Sequence, residues 1–332
     1  MSNDVSAASR ERFPPVELRT GAPYANLLAS QQAFAAAVGD YFGVCPEDCL
    51  ATSGTTGAIE AVRNHVFRSN VKAAPTVLTA RPDYWRAREA FTGFGFEVLD
   101  LHTEPFGFAI VEGTVVAKAK EACPDVLYLS LPNNPTGAVF DAETVIAGTP
   151  VATAVVMDLT LPSRSIDVRA LVRNLYQSFR GRMNLYLAGS TSKSHGTAES
   201  RIGWLICART DDAAALRLEN RNVVASGSVA AAVKLLKSGP TALEAIETSF
   251  ALLRNGEGKG VFELVRPEKN VETGYVLIRA RAGAERVRPL LQQRNIRVMW
   301  GSEFGLTDDY IRLEMLAPRN IEIFVATVND VK

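Results

Sequence analysis

The chain has 332 residues, room for one large domain and a smaller companion, and its 47% hydrophobic and 22% charged content is that of a globular protein. Its 36 basic residues balance 36 acidic ones, which removes the electrostatic footprint that nucleic acid or an anionic membrane would require. No apolar run approaches the ~20 residues of a membrane helix, and Met1–Pro15 lacks the apolar core of a secretory signal, so a cytoplasmic protein is expected. The cysteines (Cys45, Cys49, Cys123, Cys207) and histidines (His65, His102, His195) are scattered, which predicts reduced thiols and no metal site.

Along the chain, the alanine-rich stretch Ala33–Val38 reads as helix. Thr56–Arg68 follows, with Ile59, Val62 and Val66 on one helical face. Strands are predicted at Thr76–Ala80, Phe96–Leu101, Val126–Ser130, Ala154–Leu159, Asn184–Ala188 and Trp204–Ala208, with a helix over Arg86–Phe94 between the first two. These strands are mostly continuous apolar runs, as in a sheet covered by helices on both faces. The alternation predicts an α/β fold with a mostly parallel central sheet. After about residue 210 the pattern changes. Helices at Val229–Lys237 and Thr241–Leu253 flank the breaker pair Gly239-Pro240. They lead to Tyr275–Ala280, a helix over Glu285–Gln293, Ile296–Trp300, Tyr310–Met315 and a last helix from Arg319. This is expected to be a smaller α+β unit, with Asn255–Gly260 as the most linker-like stretch. The expected division is 45–208 for the large domain, with 1–44 and 209–332 making the small one.

Five places offer chemistry, three of them where a predicted strand gives way to a loop, the usual location of sites in α/β sheets. Ser53-Gly54-Thr55-Thr56-Gly57 opens a helix and could receive a phosphate on free N–H groups; a capped helix start explains it equally well. Leu131-Pro132-Asn133-Asn134-Pro135-Thr136-Gly137 is either a tight turn or a place where an amide donor meets a ligand. Asp158 ends a very apolar strand, so it needs a cationic partner such as a ring N–H⁺, unless it caps a helix. Ser190-Thr191-Ser192-Lys193-Ser194-His195-Gly196 places a lysine among small hydroxyl residues, with Arg201 eight positions on. Such a lysine becomes a nucleophile toward carbonyls when burial or a nearby cation lowers its pKa, while Arg201 and Ser190 offer donors to an anion. Arg312 lies in an alternating strand, either exposed or facing inward toward a carboxylate.

The order and combination of these segments resemble the fold-type I, class I/II aminotransferases, enzymes that use pyridoxal 5′-phosphate (PLP). The likeness runs from about Gln32 to Arg312. Its most specific part is Ser190–Trp204, which is similar to the family signature S-x-S-K-x-x-G…R-x-G, with Lys193, Gly196, Arg201 and Gly203 in register. The turn Asn133-Asn134-Pro135-Thr136-Gly137 resembles the histidinol-phosphate branch, and Ser192–Trp204 also resembles the alliinase and tryptophan-aminotransferase branch.

The resemblance implies a fold-type I PLP transferase and assigns roles. Lys193 would hold the cofactor as a Schiff base and move protons at the substrate α-carbon. Asp158 would pair with the pyridinium nitrogen, Tyr84 would stack on the ring, and Thr160 would lie on its other face. Asn134 would contact the cofactor phenol and the substrate. Gly54, Thr55, Thr56, Ser190, Ser192 and Arg201 would hold the phosphate end, and Arg312 would clamp the substrate α-carboxylate. Tyr24 would reach the phosphate of a partner subunit in a homodimer.

Departures from the family pattern bear on the reaction. The family's tyrosine three positions after the aspartate is Leu161, its glycine six positions after the lysine is Glu199, and the chain is shorter than its relatives. The expected activity is amino-acid transamination. A PLP-dependent lyase, cyclase or oxidase, and a PLP-binding protein without catalysis, are the alternatives.

Overall fold

The computed structural model describes residues 22–330, apart from 71, 73, 182, 220–223 and 258. A seven-stranded sheet forms the larger part: β1 (Cys49–Thr52), β2 (Thr76–Arg81), β3 (Glu97–His102), β4 (Val126–Ser130), β5 (Ala154–Asp158), β6 (Leu185–Ser190) and β7 (Gly203–Cys207), in the order β1-β7-β6-β5-β4-β2-β3. The strands β3, β2, β4, β5 and β6 pair in parallel, while β7 runs antiparallel to both β6 and β1.

Strand alternation accounts for the unbroken apolar runs. Leu127, Leu129, Val155, Met157, Leu185 and Leu187 face one cluster. Their neighbours Val126, Tyr128, Val156, Tyr186 and Ala188 face another on the opposite side. The helix Gly54–Ser69 covers the second side with Ile59, Val62 and Val66. The four-residue β1, absent from the predicted strands, is a short edge strand with no alternation of its own to read.

A second sheet holds β8 (Phe262–Leu264), β9 (Tyr275–Ala280), β10 (Met299–Trp300) and β11 (Tyr310–Glu314), all antiparallel in the order β10-β11-β9-β8. Helices Leu243–Glu257, Ala284–Gln293 and Pro318–Val328 supply residues to the core on one of its faces. The linker expectation for 255–260 is corrected here. Asn255–Glu257 is the last turn of a helix, and Gly256 lies so close to Val325 and Phe262 that a Cβ would collide with them.

Apolar packing also divides the chain differently from the expected boundaries. Phe34, Val38 and Phe42 of the helix Ala22–Phe42, with Val229, Ala232 and Leu236 of the helix Ser226–Ser238, join the core of the large sheet. Ala213 and Leu216 do the same on its other face. The small sheet's own core starts at Ala242. Sequence separation misled the expectation because helices on both sides of the large domain's strands return to cover one face.

Candidate active site

Among the parallel strands, the chemistry gathers at their carboxyl ends. Tyr84 follows β2, Asn134 follows β4, Asp158 ends β5, and Ser190 ends β6 and passes into the short helical turn Thr191–Ser194 that carries Lys193. The small sheet closes the far side with Tyr275 and Arg312. A cavity of about 300 Å³ results, lined by Thr55, Thr56, Tyr84, Asn134, Asp158, Thr160, Leu161, Ser190, Ser192, Lys193, Arg201, Tyr275 and Arg312 among others. Every expected site residue except Gly54 and Tyr24 therefore lines one space. Gly54 lies immediately behind it, since a Cβ there would stand 3.2 Å from the Arg201 guanidinium. The side chain of Tyr24 lies outside the described residues.

Ser53 makes no side-chain capping bond at the start of this helix, and Gly54 in its first turn lies beside the Arg201 guanidinium. Gly203 is required nearby because an added Cβ would lie 2.6 Å from both the Gly54 carbonyl carbon and the Gly189 oxygen. The close approach of β7 to this turn sets Arg201 against the helix N-terminus. Thr55 Oγ1 and Thr160 Oγ1 are 2.5 Å apart, which joins the helix start to the loop after Asp158.

Asp158 caps no helix. Its carboxylate accepts from the Tyr128 hydroxyl at 2.9 Å and the Thr160 N–H at 3.0 Å. Burial pushes its pKa up, against the opposing pull of Thr160 and Tyr128. Among the described residues no cation lies within ion-pair distance of it. A buried carboxylate with two hydrogen bonds and an open side toward a cavity suits a cationic ring N–H.

The turn after β4 divides its two asparagines. Asn133 is structural: its amide donates to Pro82 O at 3.2 Å and its side-chain oxygen accepts from Thr136 at 2.6 Å. Asn134 turns to the cavity, and its buried side-chain oxygen has no partner among the described residues. A buried carboxamide left open in this way has hydrogen-bonding capacity to offer a ligand.

Asp83, which the sequence reading passed over, organises this wall. Its carboxylate accepts from the Ser130 hydroxyl, the Ser130 N–H at 3.2 Å and the Tyr84 N–H at 2.7 Å, while Ser130 Oγ accepts from the Asn134 N–H at 3.0 Å. Tyr84 and Asn134 are thus held by one buried group. Burial pushes the Asp83 carboxyl up to about 8.

Below pH ~4 the carboxyl is protonated in folded and unfolded chains alike. Between there and pH 8 only the folded state keeps the proton, so stability falls as pH rises, and the loss is complete above the folded pKa. In cofactor-free protein, Asp83→Asn is expected to flatten the decline in Tm between pH 5 and 9, leaving the part due to Asp158. Parallel Tm–pH curves for variant and wild type would contradict this assignment.

Lys193 departs from expectation. Burial pulls its amine down, but the Tyr275 phenol and the Glu314 carboxylate hold it up, and the net direction is above an ordinary lysine. Nζ donates to Glu314 Oε1 at 2.5 Å and stands 4.9 Å from the Tyr275 ring centroid. The lowering expected from burial is outweighed by the Tyr275 phenol and by an acid 121 positions away in the chain.

Arg312 has no carboxylate within ion-pair distance among the described residues. It stacks 4.2 Å from the Tyr275 centroid, and burial lowers its pKa. A desolvated guanidinium at a cavity wall has hydrogen-bond donors to offer an anion. Leu161 is buried in the wall, so no phenol stands at that position.

The sequence profile of the aminotransferase class I and II family matches residues 17–328. The chain belongs to this family. Family membership brings PLP as the cofactor, and the buried acid, the open carboxamide, the uncapped helix start with Arg201, and the cavity lysine fit its ring, phenol, phosphate and aldehyde in turn. Relatives include histidinol-phosphate aminotransferases from Symbiobacterium thermophilum (29% identical over 259 residues, 75% of this chain and 67% of that one) and Clostridium novyi (25% over 182 residues, 51% and 45%). The chain spans less than half of some curated relatives it matches, 45% of the Clostridium protein and 23% of the Streptomyces avermitilis one. Among solved structures, a PLP-dependent aminotransferase from Streptococcus suis superimposes with a TM-score of 0.72 at 19% identity, over 90% of this chain and 81% of that one. L-threonine-O-3-phosphate decarboxylase from Porphyromonas gingivalis gives 0.70 at 18%, over 92% and 94%. These likenesses establish that the family member has the fold-type I architecture.

Proposed function

We propose that this family member is a PLP-dependent aminotransferase that interconverts an amino acid and a 2-oxo acid, working as a cytoplasmic homodimer. The observation that carries the reading is the convergence on one cavity of a lysine, a buried carboxylate with no cation partner and a half-buried guanidinium with no anion partner among the described residues.

When bound, PLP supplies an electron sink conjugated with the substrate α-carbon. Asp158, oriented by Tyr128 and Thr160, would hold a proton at the ring nitrogen. The helix start at Gly54, with Thr55, Thr56, Ser190, Ser192 and Arg201, anchors the phosphate, so binding energy away from the reacting atoms fixes orientation. Tyr84 would pack against the ring, with Thr160 on the other side. Arg312 receives the α-carboxylate as a bidentate fork, and Asn134 contacts cofactor and substrate from the opposite wall. The Lys193 amine, when free, would remove the substrate α-proton and hold it for return.

The test is a panel of amino acids with 2-oxoglutarate as acceptor. Glutamate formation is the expected result. Ammonia with pyruvate, or peroxide with oxygen uptake, would instead support the lyase or oxidase reading, which Leu161 favours by removing a phenol from the cofactor's surroundings.

Arg312→Lys is expected to raise the apparent KM for the amino acid about 10–100-fold. A point charge replaces a fork whose charged hydrogen bonds are worth roughly 1.5–3 kcal/mol. An unchanged KM would remove Arg312 from the site.

A further inference from the structure

Glu314 has no part in the reading above, yet it makes the closest contact to Lys193. Strand alternation explains how it gets there. On β11, Ile311 and Leu313 turn into the small domain's core, which leaves Arg312 and Glu314 on the face toward the cavity. The register of β11 on β9 sets Glu314 directly opposite Tyr275. This cross-strand pair presents a carboxylate and an aromatic face together to one ammonium.

We infer that Glu314 is a positioning residue that holds the Lys193 amine, protonated, whenever that amine is not bonded to the cofactor. The inference rests on the reading of Lys193 as the cofactor lysine. Glu314 is half-exposed and Lys193 largely covered, so the contact joins a solvated acid to a desolvated base. Desolvation by itself would release the proton; the Tyr275 phenol and the Glu314 carboxylate oppose that release, and the three together set the pH at which the amine becomes nucleophilic. The other titratable or charged groups facing this space are Asp158 from β5, Tyr84 after β2, Arg86 from the helix Trp85–Thr92, Arg201 before β7, Tyr275 from β9 and Arg312 from β11. None of these six is a carboxylate within ion-pair distance of Nζ, so Glu314 is the lysine's anionic partner among the described residues.

The experiment is competitive acetylation of the full-length, cofactor-free protein across pH, with the Lys193 peptide quantified by mass spectrometry against exposed lysines in the same digest. Wild-type Lys193 is expected to titrate above those references. In Glu314→Gln the midpoint is expected to fall by about one pH unit. Glu314→Asp, which keeps the charge at a shorter reach, is expected to fall between the two. The lower pH limit of PLP uptake, read from visible absorbance, should move with the midpoint.

Equal midpoints in wild type and Glu314→Gln, or a wild-type midpoint at or below that of the exposed lysines, would overturn the inference. A shifted midpoint in a protein that takes up no PLP would support the hold of Glu314 on the amine and overturn the functional reading instead. Thermal unfolding of each variant confirms that the comparison is between folded proteins.

Discussion

Lys193→Ala is expected to leave a folded protein that keeps no visible absorbance through gel filtration after incubation with PLP, whereas the wild type is yellow. Borohydride should fix the cofactor to the wild type at Lys193 and to the variant nowhere. Transaminase turnover should fall by about four orders of magnitude, because the same amine both bonds the cofactor and moves the α-proton. The fold should tolerate the change. Lys193 sits in a four-residue turn, and its ion pair is with an acid whose side chain is 49% exposed, a setting in which such pairs contribute about 0–1 kcal/mol. A colourless wild type, or a variant that still binds PLP covalently, would refute the assignment.

Asp158→Asn has the second largest expected effect, and it separates cofactor chemistry from cofactor capture. Asparagine keeps the shape and can still accept from Tyr128, so the end of β5 should stay in place. The charge opposite the ring nitrogen is lost. Removing one partner of a buried ion pair costs roughly 3–5 kcal/mol, which corresponds to a fall in kcat of about 10²–10³-fold or more if the loss is felt at the transition state. Lys193 should still capture PLP, and the yellow colour should persist. Turnover within about threefold of wild type would show that the Asp158 carboxylate does not act on the cofactor. The raised pKa of Asp158 in the cofactor-free protein adds a second readout. PLP binding should favour the ionised form of the Asp158 carboxyl, so the number of protons taken up or released on binding should differ between wild type and variant.

Much of the large domain was legible because its strands are buried on both faces. Val126–Ser130 and Ala154–Asp158 carry no exposed position, so their apolar runs reveal strand and burial together. The expected ends fell within one to two residues of the observed ones for all six predicted strands of the large sheet. Strand β1 was not legible, since four residues at a sheet edge leave no period to detect. Packing of the helices Ala22–Phe42 and Ser226–Ser238 was not legible either. Their apolar faces say that they are covered, but not by which sheet.

The candidate site shows the same division. Lys193, Asp158, Asn134, Arg201 and Arg312 announce themselves by residue type at the ends of strands or in a short motif. Asp83 stands beside Tyr84 in the sequence, yet its role comes from reaching Ser130, 47 positions on, and this depends on β4 lying next to β2. Tyr275 was correctly placed in a strand with no sign of its partners. A signal did exist for Glu314, an acid two places after an inward arginine, but the sequence offered no reason to pair it with a lysine 121 residues away.

For Lys193, the amino-acid sequence determined the identity of the residue, its hydroxyl-rich surroundings, and its place after a buried strand. These are local properties, written in side-chain type and spacing. Only the tertiary structure decided its protonation, because the charge on an amine depends on which groups share its low-dielectric space. That choice was made by the register of β11 on β9 and the docking of their sheet against the end of β6, neither of which a local pattern encodes.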